Sequence, residues 1–320
     1  MNSDDKIYVA GHAGLVGSAI VKKLHSMGYQ NVITRSRHDL DLTNQNATRQ
    51  FLMEVRPKYV FHAAAKVGGI GANSAYPATF ISENLLICSN VITSAHAAGV
   101  ERLLFLGSSC IYPRLCPQPI KEEYLLTGPL EETNAPYAIA KISGMELCRA
   151  HNKQYGTDFR ALMPTNLYGP SDRYEDTTSH VIPAIIRKMH IAKIKKVPEV
   201  ELWGSGRPLR DFLHSDDLAA AAILVMTCSR EEYRRKSGTP AFINVGSGVE
   251  ITIAELAEII RGIVQYDGAT KWNVSMPDGT PRKLLNIERI RSFGWSPRID
   301  LYEGVRAAYK DYIARFSHTI

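Results

Sequence analysis

Three glycines, Gly11, Gly14 and Gly17, separate a short apolar run, Ile7-Tyr8-Val9-Ala10, from a stretch with apolar residues at helical spacing: Leu15, Val16, Ile20, Val21 and Leu24. Strand, glycine turn, helix is the context a dinucleotide fingerprint requires. Glycines allow the tight turn and close backbone approach, and the helix start offers free amides to a pyrophosphate. The loop Gly11-His12-Ala13-Gly14-Leu15-Val16-Gly17 is spaced G-x-x-G-x-x-G rather than G-x-G-x-x-G, so glycines that merely turn the chain stay an alternative. The next strand, 31–34, runs into Arg35-Ser36-Arg37. An acidic side chain there would take a ribose 2′-hydroxyl, whereas guanidinium groups suit a 2′-phosphate. Arg35 and Arg37 therefore favour NADP over NAD, the alternative being a solvated strand end. Asp41 and Leu42 follow where the chain can meet adenine.

Further along, 46–55 reads as a helix stopping before Pro57, 59–64 as a strand, 77–98 as a long helix and 102–106 as a strand. Asn134-Ala135-Pro136 opens another helix, followed by a strand at 159–163. This alternation predicts an α/β chain with a doubly wound parallel sheet and ligands at the carboxyl ends of its strands. Gly107-Ser108-Ser109-Cys110 stands at such an end. A serine hydroxyl can donate to a substrate carbonyl and a thiol can exchange a proton with carbon. Read alone, Ser108 is also a turn residue and Cys110 a small hydrophobe. Tyr137 and Lys141 lie four apart on the following helix, which puts phenol and ammonium on one face about 6 Å apart. A free phenol has a pKa of about 10. The ammonium is expected to stabilise phenolate and lower that value towards the working range. Alone, the pair also describes a surface lysine beside a half-buried tyrosine.

With 320 residues, 45% apolar and 22% charged, the chain has the composition of a soluble globular protein and is large enough for two lobes. Its longest apolar run, 218–226, is too short for a bilayer, and the N-terminus lacks the pattern of a signal peptide. The five cysteines form no C-x-x-C pair, which argues for reduced thiols in the cytoplasm and against disulfides or a zinc site. A net charge of +6, scattered rather than striped, fits a phosphorylated small ligand better than nucleic acid. No membrane or metal partner is expected.

Gly11-x-x-Gly14-x-x-Gly17, Ser108, Tyr137-x-x-x-Lys141 and Asn166-Leu167-Tyr168-Gly169-Pro170 occur in order at sensible intervals. Together they resemble the extended short-chain dehydrogenase/reductase superfamily, which acts on nucleotide sugars. The likeness continues through Trp203 to Asp217 and Phe242 to Gly248, so it spans nearly the whole chain. Five stretches (63–70, 104–113, 134–141, 179–183 and 277–285) are similar within that superfamily to the GDP-L-fucose synthase family. Those epimerase-reductases use NADPH and convert GDP-4-keto-6-deoxy-D-mannose to GDP-L-fucose. The resemblance implies that Tyr137, Lys141, Ser108, Cys110 and His180 are catalytic, with Cys110 and His180 the acid-base pair of epimerisation. It places Leu106, Gly107, Ser109, Pro164, Asn166, Leu167 and His180 beside the cofactor with the glycine loop, and Asn166 also near substrate. Ala13 departs from relatives that carry a basic residue there, which leaves more of the NADP selectivity to Arg35 and Arg37. A homodimer is also implied, through the long helices after Pro77 and Pro136.

In the second half, Lys188 lies on a helix starting at His180, and the resemblance sets it near the nucleotide diphosphate. Trp203 closes a strand at 199–203, free to stack on guanine or to pack in the core. Arg210 offers a bidentate fork to a pyrophosphate, or pairs structurally with Asp211 or Asp217. Asp216 is expected to cap a helix at 218–227, and Thr252 with Glu255 reads as a capping box. A loop at 276–283 carries Asp278 and Lys283 as polar candidates for substrate. The expected division is a Rossmann-type NADP-binding domain at 1–170 with a return segment at about 212–245, and a smaller α/β substrate lobe from 171–211 and 246–320. Two rivals remain: an NAD-retaining nucleotide-sugar epimerase and a dinucleotide-sensing regulator without chemistry.

Overall fold

The computed structural model describes residues 1–175 and 179–316. Its strands are β1 (Ile7–Ala10), β2 (Val32–Ile33), β3 (Tyr59–His62), β4 (Arg102–Leu106), β5 (Asp158–Pro164), β6 (Asn166–Tyr168), β7 (Glu199–Trp203), β8 (Leu209–His214), β9 (Ile243–Val245), β10 (Glu250–Thr252), β11 (Ala269–Asn273) and β12 (Arg282–Lys283). Its helices are α1 (Leu15–Ser26), α2 (Gln45–Val55), α3 (Ile70–Ala75), α4 (Pro77–Ala97), α5 (Ala135–Tyr155), α6 (Val181–Lys195), α7 (Ser215–Thr227), α8 (Arg230–Ser237), α9 (Ile253–Val264), α10 (Glu288–Ser292) and α11 (Leu301–Phe316).

β1, β3 and β4 carry continuous runs of apolar residues because both faces of this sheet are covered. Six strands lie parallel in the order β2-β1-β3-β4-β5-β9. Helices α2, α4 and α5 pack together, and α1 packs on α7. The doubly wound parallel sheet expected from the alternation is thus the observed architecture. The strand order reverses between β1 and β3, and the crevice beyond their carboxyl ends is where such sheets take ligands.

A second, smaller sheet is built on β8. Strand β10 runs antiparallel to it, while β12 and β6 run parallel. β7 and β11 form a separate parallel pair. Two apolar cores follow this division. The first fills the six-stranded sheet and also takes Leu285, Ile287, Ile290, Phe293 and Trp295. The second joins α6, α9 and α11 to Val200, Leu202 and Phe212. Among the described residues no helix is long and apolar enough to cross a membrane.

Two helix starts illustrate local chemistry. Thr252 and Glu255 make the expected reciprocal capping box on α9. On α7 the expectation fails: the cap is His214, whose Nδ1 accepts from the Asp216 amide at 3.2 Å. Asp216 instead accepts from Lys22 Nζ at 3.0 Å, because the helix starts one residue before it and its carboxylate faces α1.

Candidate active site

The glycine loop sits at the reversal point. Gly11 has φ +83° and lies so close to the chain leaving β3 that an added Cβ would stand 2.7 Å from the Ala64 nitrogen. A Cβ on Gly17 would overlap the Gly11 carbonyl, so helix and turn are in backbone contact. Gly14 is the N-cap of α1 and supplies no side chain to its first-turn amides, nor is there an acidic residue in that turn. His12 is half-buried and Ala13 exposed, with Leu15 and Val16 partly covered. Free amides, a cradle a Cβ would fill and exposed Arg35 and Arg37 beyond β2 fit a phosphorylated dinucleotide. Arg35 lies over the Phe51 ring at 5.2 Å, and Arg37 pairs with Glu83 at 3.3 Å. Asp41 is exposed, its Oδ1 accepting from Thr43 N at 3.0 Å, and Leu42 is in the first core.

The carboxyl end of β4 carries Ser108 and Cys110. Ser108 leaves the strand extended, and its Oγ accepts from the Cys110 amide at 3.3 Å as a short 3-10 turn begins. Gly107 and Ser109 are buried around it. Burial raises the Cys110 thiol above its ordinary range, opposed by the Lys283 ammonium and the Ser108 hydrogen bond. Tyr137, near the start of α5, stands edge-on to Phe80. Its phenol is raised well above 10, first by burial and then by the proximity of Cys110 and Cys88.

That last observation corrects the expectation of a lowered phenol. The Lys141 ammonium does lie over the Tyr137 ring, 5.6 Å from its centroid, but it donates to the Leu106 carbonyl at 2.8 Å. Burial pushes Lys141 itself downward. The lysine is poorly hydrated too, so desolvation of both partners outweighs their attraction.

A second group faces Cys110 from the smaller sheet. β12 pairs with β8 so that Lys283 stands opposite Arg210. Two cations in register repel unless an anion joins them. Burial lowers Arg210 to about 10, opposed by Asp278 and Glu131. Burial also lowers Lys283, and Arg210 adds to the effect. Arg210 donates to the Leu209 and Asp278 carbonyls. Neither Asp211 nor Asp217 is its partner: Asp211 accepts from Ser247, and Asp217 from the Arg298 and Ile299 amides. The Asp278 carboxylate is spent on Ser205, at 2.7 and 2.8 Å.

The other expected residues lie on neighbouring elements. His180 is the N-cap of α6. Its surface is open, yet enough protein surrounds the ring to leave an imidazolium poorly hydrated. That desolvation, with the Arg173 charge, lowers its pKa. Among the described residues no hydrogen bond joins it to Cys110 or Tyr137. Lys188 donates to the Glu201 carbonyl at 2.9 Å and lies 5.7 Å over the Trp203 ring. Trp203 is 44% exposed, so it is no core residue. Pro164 is buried, and Leu167 packs against the first core. Asn166 donates from Nδ2 to the Asp211 carbonyl at 2.9 Å. Sequence reasoning missed Glu131, which pairs with Arg114 at 3.0 Å and faces both Arg210 and Lys283. A single glutamate in a loop carries no pattern that could have marked it.

Residues 7–246 match the model of the NAD dependent epimerase/dehydratase family. The chain is 48% identical to the GDP-L-fucose synthase of Escherichia coli (strain K12), over 97% of each chain. It is 50% identical to GDP-L-fucose synthase 1 of Arabidopsis thaliana, covering 96% of this chain and 93% of that one. A solved GDP-L-fucose synthetase from Naegleria fowleri, bound to NADP, superposes with a TM-score of 0.88 at 25% identity, over 99% of this chain and 96% of that one. Glycine cradle, half-buried Tyr137 over buried Lys141 and near full-length identity agree: the chain belongs to the NAD dependent epimerase/dehydratase family, among the GDP-L-fucose synthases.

Proposed function

We propose that this protein converts GDP-4-keto-6-deoxy-D-mannose to GDP-L-fucose, epimerising C3 and C5 and then reducing the C4 ketone with NADPH. The observation that carries this reading is the short turn holding Cys110 packed against α5, the helix that carries Tyr137. One cleft then holds a group for proton exchange at carbon and a group for protonating oxygen.

The ketone makes the neighbouring C3 and C5 protons acidic. Cys110 and His180 exchange them, one group removing a proton while the other returns one to the opposite face. At neutral pH the thiol is protonated and the imidazole neutral, so each group holds or accepts one proton. Ser108 orients the C4 oxygen, and Tyr137 donates its proton there. A phenol raised by burial stays protonated, which is the form reduction needs. Lys141 holds the nicotinamide ribose. Bound NADPH supplies the hydride. The glycine loop with Leu106, Gly107, Ser109, Pro164, Asn166 and Leu167 holds the rest of the cofactor, Arg35 and Arg37 its 2′-phosphate, and Asp41 with Leu42 its adenine. Arg210 and Lys283 bind the GDP diphosphate, the anion their like-charged register calls for. Lys188 and Trp203 serve the nucleotide end, and Asp278 shapes the turn beside Arg210.

We assign the larger NADP-binding domain to 1–170 with the return segment at about 212–245, and the substrate lobe to 171–211 and 246–320 apart from 285–295, whose apolar side chains lie in the first core. A cytoplasmic homodimer through α4 and α5 completes the reading. Exposed Leu86 and Tyr76 on one helix and its start, and Ile139 and Tyr155 on the other, supply apolar surface for a second copy.

NADPH oxidation measured with GDP-4-keto-6-deoxy-mannose against its UDP and dTDP counterparts tests the substrate. Stoichiometric oxidation with the GDP sugar alone is expected. No net oxidation, with NAD retained through purification, would favour the epimerase rival.

A further inference from the structure

Glu83, on α4, joins two cations that no role above explains together. Its Oε1 accepts from Lys66 Nζ at 2.9 Å, and its Oε2 lies 3.3 Å from Arg37 Nη2. Lys66 belongs to the 63–70 stretch after β3. Its backbone is locked by the next residue on α4, Asn84, which is fully buried. Asn84 Oδ1 accepts from the Lys66 amide at 2.9 Å, and Nδ2 donates to the Lys66 carbonyl at 3.0 Å.

The carboxylate is therefore anchored on the Lys66 side. Its side chain is 22% exposed, while that of Arg37 is 69% exposed. Arg35 is engaged elsewhere, on the Phe51 ring and the Thr34 carbonyl. Arg37 is the guanidinium at the end of β2 that already holds an anion.

We infer that Glu83 tunes the cofactor preference of this chain by competing with a 2′-phosphate for Arg37. The inference rests on the reading of NADPH as cofactor. The three side chains together carry one net positive charge. Glu83→Gln raises that to two, keeps the shape, and releases Arg37. An exposed pair of this kind contributes up to about 1 kcal/mol, which corresponds to about fivefold in an equilibrium constant.

Binding of 2′,5′-ADP and 5′-ADP, measured by calorimetry without nicotinamide or sugar, isolates the 2′-phosphate. The ratio of the two dissociation constants should rise about fivefold in Glu83→Gln in favour of 2′,5′-ADP, with 5′-ADP binding held within about twofold. Arg37→Ala should lower the ratio. If Arg37→Ala lowers it while Glu83→Gln leaves it unchanged or lower, the competition is refuted and the NADPH reading stands. If Arg37→Ala has no effect, both the role of Arg37 and the competition fall.

Discussion

In the proposed reduction Tyr137 gives a proton to a ketone, and desolvation serves that role. The Tyr137 phenol is raised by desolvation, so it remains the acid at neutral pH without help from Lys141. The Cys110 thiol is raised in the same way, with Lys283 the strongest charge opposing the rise. Lys283→Met removes that ammonium and should move the Cys110-controlled bend in the pH profile of C3/C5 proton exchange to higher pH. The direction is the same whether the thiol acts as acid or as base. An unmoved bend would separate Lys283 from the thiol. That Tyr137 and Lys141 meet on one helix face was legible from their spacing, but their role needed the other motifs and the sign of the phenol shift was not legible. Spacing fixes which groups meet, whereas desolvation depends on Phe80, Phe105 and Cys88 packed around them from other elements.

At the level of elements, the glycine turn makes a graded prediction. Gly17→Ala forces backbone out of contact with Gly11, while a Cβ on Gly14 meets its nearest atom at 3.5 Å. Overpacking of this kind costs about 1–3 kcal/mol, so Gly17→Ala should lower the unfolding midpoint and weaken NADPH binding, with Gly14→Ala close to the parent in both. Equal effects would sink the account of the turn. Strand β8 makes another. The Asp211 carboxyl is fully buried, accepts from Ser247 N at 2.9 Å, and is raised by burial to about 6. The folded chain thus holds a proton more tightly than the unfolded chain between about pH 4 and about pH 6. This group's contribution falls as pH rises through that window and stays low above it. Relative to the parent, Asp211→Asn should become more stable by on the order of 2 kcal/mol from about pH 4.5 to about pH 7. Urea unfolding at both pH values measures it, and a pH-independent difference would contradict it. The helices and the capping box at Thr252 were readable because caps and periodicity are local. The pairing of Lys283 with Arg210 was not, since β12 is two residues long and reaches β8 from far along the chain.

For the whole molecule, the six-stranded sheet presents the glycine cradle and Cys110 at strand ends beside Tyr137 near the start of α5, and the β8 sheet brings Arg210 and Lys283 to meet them. Light scattering should give twice the chain mass for the parent and a monomer for Leu86→Glu, an apolar position on α4 that is 47% exposed. A monomeric parent would end the proposal of a second copy on α4 and α5. The central claim is that one cleft performs two separable reactions, proton exchange at carbon by Cys110 with His180 and reduction with Tyr137 as acid. Deuterium incorporation at C3 and C5 from heavy water, followed beside NADPH oxidation on the same substrate, tests it most directly. Tyr137→Phe should keep incorporation and lose oxidation, whereas Cys110→Ser should lose incorporation and still oxidise NADPH to give the unepimerised sugar. Loss of oxidation alone in both variants would contradict it.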